Sequence, residues 1–216
     1  LGRVEMGGKS GIRLGIQTEN ETVLRKCFTL LKKTYNIDGD ALQFPREEGK
    51  GHTYVTITED SGEADKILQA VKMRGPDGGE NTEAVKVNPL LIKNDCCKRA
   101  FLRGAFLCIG SMSDPEKSYH LEFVCTHQES AEQLKELIQG FGVDAKIVIR
   151  KKYHVVYLKE GAGIVDLLNI MGAHISLMNF ENYRIVKEVR NSINRKVNCE
   201  TANITKTVNA SSKQIE

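Results

Sequence analysis

No apolar run in this sequence reaches the roughly 20 residues that a helix needs to cross a bilayer. The longest candidate, 100–110, is interrupted by Arg103 and preceded by Lys98 and Arg99. The sequence opens on LGRVEM, with neither an initiator methionine nor a basic and then apolar leader. No targeting segment is read there, and the expectation is of a soluble, cytoplasmic protein cut at both ends. Paired CxxC spacings are missing as well. Of the six cysteines, Cys96 and Cys97 are adjacent, and Cys27, Cys108 and Cys125 sit inside apolar patterns. Cys125 with His127 is the nearest approach to a zinc pair, so reduced thiols and no metal are expected. A GxxxxGK[ST] loop is also lacking, because neither Gly49-Lys50-Gly51 nor the GPDGG stretch supplies it, and no cofactor is expected. His52, His120, His127, His154 and His174 fall singly, with no serine or cysteine nucleophile arrangement in view. A triad assembles in space and stays open on that ground alone, but surface histidines are the reading.

What is present is ordinary for a globular chain: 40% hydrophobic and 27% charged residues over 216 positions, enough for one large domain or two small ones. Charge is unevenly placed. Over 179–216, Arg184, Lys187, Arg190, Arg195, Lys196, Lys206 and Lys213 face only Glu181, Glu188, Glu200 and Glu216, which accounts for the chain's whole formal excess of +3. An anionic partner or a solvated face would each explain it.

The chain repeats itself. IRLGIQTENETVLRKCFTLLKKTYNI, 12–37, and YHLEFVCTHQESAEQLKELIQGFGV, 119–143, share an alternating strand, a polar turn and an amphipathic helix. A second strand and helix follow in each copy, over 53–71 and 154–171, with Asp65 matching Asp166. The expected helix stripes are Val23, Cys27, Leu30, Leu31 and Tyr35 in the first copy and Ala131, Leu134, Leu137, Ile138 and Phe141 in the second. RGPDGGENTE, 74–83, reads as the exposed connection between them.

One helix precedes the second copy, in CCKRAFLRGAFLCIGSMSDP, 96–115. Cys97, Ala100, Gly104, Cys108 and Ser111 recur at three or four residues and so share one helix face. Glycine inside a helix costs about 1 kcal/mol relative to alanine, which asks for a close backbone neighbour. A matching helix from the first copy would supply it across a pseudo-twofold axis. Leu1-Gly2-Arg3-Val4 can be laid on Ile109-Gly110-Ser111-Met112 as the end of that helix. Ordinary packing of the helix on its own sheet through Phe101, Leu102, Ala105 and Ile109 is the alternative.

FLRGAFLCIGSM resembles the interface helix of LAGLIDADG homing endonucleases. CCKRAFLRGAFLCIGS, SDPEKSYHLEF, VVYLKEG and VRNSINRKVNCETANITKTV are similar to the WhiA family of bacterial sporulation and cell-division regulators, through essentially the whole chain. The resemblance implies an α+β fold of two pseudo-twofold-related αββαββα halves with saddle-shaped antiparallel sheets. Its divisions would be 1–73 for the first repeat without its opening helix, 74–92 for the connection, 93–178 for the second repeat and 179–216 for a helical linker towards an absent helix-turn-helix domain. It implies a DNA-binding transcriptional regulator of sporulation, cell division and chromosome segregation, in the cytoplasm at the nucleoid. Double-stranded DNA and a sigma factor or other transcription protein would be its partners.

Cutting is not expected. The motif, laid on Leu102–Gly110, puts Ile109 where the family's metal-holding carboxylate stands and Leu107 two residues earlier, and an isoleucine binds no magnesium. The nearest acid, Asp114, lies beyond Gly110 and before Pro115, in the following turn. The first copy's motif is out of view and could retain an acid, so a metal-dependent endonuclease stays as the third reading.

DNA contact by the sheets is the remaining question. Alternation sends Lys146, Arg150 and Lys152 to one face, and Arg13 and Gln17 oppose Ile12, Leu14 and Ile16. Such a face could neutralise phosphates and read base edges, or could simply be solvated, as Glu122 on a neighbouring strand suggests. In the tail, Val186, Val189, Ile193 and Val197 describe a helix docked by one side. Arg184, Lys187, Asn191, Asn194, Arg195 and Asn198 populate the rest, for structural linkage or for direct readout. A scaffold for protein partners or dimerisation, with DNA binding confined to the absent domain, is the alternative function, and the oligomeric state is open.

Overall fold

The computed structural model describes residues 2–7, 11–18, 20–36, 42–43, 53–57, 61–73 and 85–215. By contact it divides into two compact units, Leu1–Cys108 and Ile109–Glu216.

The first unit holds strands β1 (Gly2–Gly7), β2 (Gly11–Thr18), β3 (Leu42–Gln43) and β4 (Thr53–Ile57), with helices α1 (Glu21–Tyr35), α2 (Ser61–Ala70) and all but the last residue of α3 (Asp95–Ile109). Its sheet runs β1-β2-β4-β3, antiparallel throughout. Gly2 to Val4, expected as a helix end, belong to β1, as Gly110 to Met112 belong to the strand that directly follows α3. The alignment of the copies therefore stands, with strand instead of helix from the glycine onward.

Local chemistry sets the limits of α1. The Asn20 side chain accepts from the backbone N–H of Thr22 at 2.9 Å and of Val23 at 3.3 Å, satisfying two donors that the first turn leaves over. Asn36 ends the helix in the left-handed region, with φ 52°, and its N–H returns to the Lys32 carbonyl. The buried residue of this helix is Leu24, and Leu30, expected in the stripe, is half exposed. A stripe through Leu24, Phe28, Leu31 and Tyr35 keeps the period of the helix, whereas Leu30 lies one residue, about 100°, off it.

The second unit holds strands β5 (Gly110–Met112), β6 (Leu121–Cys125), β7 (Lys146–Arg150) and β8 (Tyr153–Leu158), and helices α4 (Gln128–Gln139), α5 (Gly161–Met171) and α6 (His174–Ile215). Its sheet order, β5-β6-β8-β7, repeats that of the first. The duplication read from the sequence is thus reproduced in strand order within each unit. One face of this sheet is the core face: Leu121, Phe123, Cys125, Val156 and Leu158 are buried there with Ala131, Leu134 and Ile138 of α4. Ile164, Leu167, Leu168 and Met171 of α5 and Phe180 of α6 complete the core.

The expected connection, 74–83, lies outside the described residues, and Gly172 closes α5 in the left-handed region at φ 72°. The final helix runs unbroken for 42 residues and starts ahead of the expected linker boundary at 179.

Candidate nucleic-acid interface

Pairing register decides which side chains share the outer face of the second sheet. Glu122 stands opposite Tyr157, and Tyr157 opposite Lys146. Val124, Val155 and Val148 form the next row on that face, and Tyr153 with Arg150 the last. Lys146 and Arg150 are therefore on one face, as alternation requires. Lys152 is not. The strand stops at Arg150, Lys151 and Lys152 make a two-residue hairpin turn with Lys151 at φ 58°, and alternation no longer governs them. The Lys152 ammonium instead sits 5.5 Å from the centre of the Tyr153 ring.

The face is less basic than its lysine and arginine suggest. Arg150 Nη1 donates to Glu122 Oε2 at 3.0 Å, and His120 Nε2 meets the same oxygen at 2.8 Å. A carboxylate only accepts, so this histidine nitrogen carries the proton. The His120 hydrogen bond, and then the Arg150 charge, hold the Glu122 carboxyl below its usual range. Lys146 has Asp144 at 3.6 Å, with both side chains exposed, an arrangement worth little in water. His120 was not legible as more than an isolated histidine. It lies one residue ahead of β6, where alternation does not apply, so no local pattern pointed to its contact with Glu122.

Arg13 and Gln17 lie on β2, opposite Glu5 and Tyr54 in the pairing, and their side chains are outside the described residues. The tail residues divide. Arg184 is held by Glu181 at 3.1 Å and Glu188 at 3.7 Å. Lys187 donates to the Glu116 carbonyl at 3.3 Å, with its ammonium 4.8 Å from the centre of the Tyr119 ring. Lys187 thus fastens α6 to the loop before β6, whereas both partners of Arg184 lie within α6 itself. Asn191, Asn194, Arg195 and Asn198 are exposed, and Arg195 Nε donates to the Asn191 carbonyl of its own helix, at 3.4 Å.

Two expectations are corrected here. Val186, Val189, Ile193 and Val197 are each more than half exposed, so no described residue docks on that stripe. Spacing reveals an apolar helix face but not what covers it. Ser111 leaves the small-residue face, because α3 ends at Ile109 and Ser111 pairs with Glu122 in a strand. Of the other members, Cys97 is half-buried, while Ala100, Gly104 and Cys108 are exposed, and a Cβ added at Gly104 would meet nothing within 4 Å. The close neighbour that the glycine asks for is not among the described residues.

At the motif position, Ile109 is the last residue of α3 and 38% exposed. Asp114 is committed to a turn: its Oδ1 accepts from the Glu116 N–H at 3.0 Å and its carbonyl from Lys117 and Ser118. Among the described residues no three acidic, histidine or cysteine side chains gather as metal ligands would, and no helix is long and apolar enough to cross a membrane.

Comparison with known proteins places these features. The family model for the WhiA LAGLIDADG-like domain matches residues 98–190, and that for the WhiA C-terminal HTH domain matches 193–216. A probable cell division protein WhiA from Lachnoclostridium phytofermentans is 55% identical over 203 residues, covering 93% of this chain and 64% of that protein. One from Alkaliphilus metalliredigens is 45% identical over 217 residues, covering 100% of this chain and 68% of that protein. The chain thus spans about two thirds of the length of such relatives.

Among solved structures, full-length DUF199/WhiA from Thermatoga maritima matches with a TM-score of 0.64 at 21% identity, over 99% of this chain and 66% of that one. The homing endonuclease I-DmoI, in complex with DNA and manganese, matches with a TM-score of 0.53 at 11% identity, over 79% of this chain and 88% of that one. At such identities the likeness is one of fold, and the fold is LAGLIDADG-like.

Proposed function

Because the chain belongs to the WhiA family, we propose that it acts as a DNA-binding transcriptional regulator of cell division, sporulation and chromosome segregation, cytoplasmic and associated with the nucleoid. Its endonuclease-like body does not cut. The divisions we propose are 1–73 and 93–178 for the two repeats, 74–92 between them and 179–216 as the helical linker. Double-stranded DNA is the partner, with a sigma factor or another transcription protein as a second.

One observation carries the reading. Helix α6 is fastened to the body at Phe180 and Lys187 and runs without a break to Ile215, through the stretch that matches the HTH domain. A continuous helix hands a recognition module a fixed orientation. Base reading belongs to that module, while the body adds phosphate contacts at most. The absence of cutting rests on Ile109, an alkyl side chain where a metal-holding carboxylate would stand.

Binding of a labelled duplex by this 216-residue chain, by a chain carrying the whole HTH domain and by that domain alone tests the proposal. Weak binding by the first and tight binding by the second are expected; equal affinities would overturn it. Supercoiled plasmid incubated with magnesium should stay uncut, and cleavage that depends on metal and on an acidic side chain would restore the nuclease reading.

A scaffold role for the body, with DNA contact confined to the HTH domain, is favoured by one observation: Arg150, Arg184 and Lys187 all have partners within the chain. Absence of duplex binding by the 216-residue chain at low salt would select it.

A further inference from the structure

The contact between Arg150 and Glu122 is unusual in its reach. Glu122 lies opposite Tyr157 on β8, whereas Arg150 lies opposite Tyr153, on the far side of that strand and four residues along it. At about 3.3 Å per residue and about 4.8 Å per strand, their backbone positions lie more than about 10 Å apart, a diagonal that the two side chains span together. An arginine on an edge strand ordinarily turns its head outward into water. This one lays it inward, onto a carboxylate that is 15% exposed while its own side chain is 56% exposed.

Two donors from separate strand ends then converge on a single oxygen, Oε2, at 2.8 and 3.0 Å. Charge-assisted donors converging in this way suit a phosphate oxygen as well as a carboxylate oxygen. Lys146 stands in the same row as Glu122, across Tyr157, with Asp144 at 3.6 Å beside it.

We propose that His120 and Arg150 form a binding site for one phosphate of duplex DNA, and that Glu122 fills this site in the DNA-free protein. The inference rests on the DNA-binding reading above. The carboxylate holds the donors in place and competes with the phosphate for them. Duplex binding by this sheet therefore requires Glu122 to be displaced, which keeps the body's affinity low without removing its donors.

The test is a salt titration of duplex binding by the 216-residue chain, unchanged and with Glu122→Gln. A neutral amide is a poorer acceptor and does not repel phosphate, so severalfold tighter binding at low salt is expected. The slope of log K against log salt should steepen by about 0.9 for the one phosphate gained. Glu122→Thr, which suits a strand, carries the same expectation should the glutamine variant fold poorly. Adding Arg150→Gln to either variant should abolish the gain, whereas Arg150→Gln alone should leave affinity nearly unchanged. If the unaltered chain binds and Glu122→Gln alters neither affinity nor slope, the site is overturned while the DNA-binding reading of the body survives. Absence of binding by every variant at the lowest salt overturns both.

Discussion

Lys187 sits over the ring of Tyr119, its ammonium 4.8 Å from the ring centre, and the same ring meets Phe180 at 5.1 Å. One aromatic side chain thus receives two residues of α6 that lie seven apart, on one face of the helix. The contact ties the helix to the loop before β6 by charge and by ring packing together.

Removing the charge should weaken that tie by a modest amount. Lys187→Met keeps the alkyl stem and should cost about 0.5–1 kcal/mol in urea unfolding, the range of an exposed cation–π contact. A double-mutant cycle with Tyr119→Leu should return a coupling of similar size. Independent, additive effects would show that the contact contributes nothing.

Phe180 should matter more. It is 1% exposed, so Phe180→Ala leaves a cavity in the α5–α6 packing and should cost about 3–5 kcal/mol. A loss under about 1 kcal/mol, read from thermal or urea unfolding, would mean that α6 is not anchored there.

Acidification isolates Glu122. Its folded pKa is depressed, by His120 first and Arg150 next, below the usual carboxylate value. The unfolded state therefore takes up the proton first as pH falls. The stability contributed by this group is complete above about pH 4.3 and is lost as pH drops through the lower folded value. Urea unfolding of the unaltered chain and of Glu122→Gln from pH 7 to pH 3 should show the advantage of the carboxylate being lost through that acid range. A constant difference across the range would disprove the linkage.

Gly172 gives a backbone test. At φ 72° it closes α5 in a region that L side chains avoid, and Gly172→Ala should cost about 1–2 kcal/mol. An alanine variant as stable as the unaltered chain would show that α5 can end in another way.

The parts of this architecture that sequence made legible are those governed by short-range periodicity. Ala131, Leu134 and Ile138 keep helical spacing in the sequence and are buried in α4, and strand alternation put Lys146 and Arg150 on one face as the register does. Errors fall where a period ends. Ser111 and Lys152 each continue a spacing past the last residue of its element, one into a strand and one into a turn. The Arg150–Glu122 contact joins residues 28 apart and depends on pairing register and on a diagonal reach, neither of which a local pattern contains. The apolar stripe of α6 was visible as spacing, but its exposure was not, because periodicity describes one helix and burial needs two surfaces.

The length of α6 turns its fastening into leverage. At about 1.5 Å per residue the 42 residues make a rod of about 63 Å, gripped near its beginning. Seen from the Tyr119 ring, most of that rod is an outrigger, and a tilt of a few degrees at the grip becomes several ångströms at the tip. Whatever the far end carries is aimed by Phe180 and Lys187 at the near one.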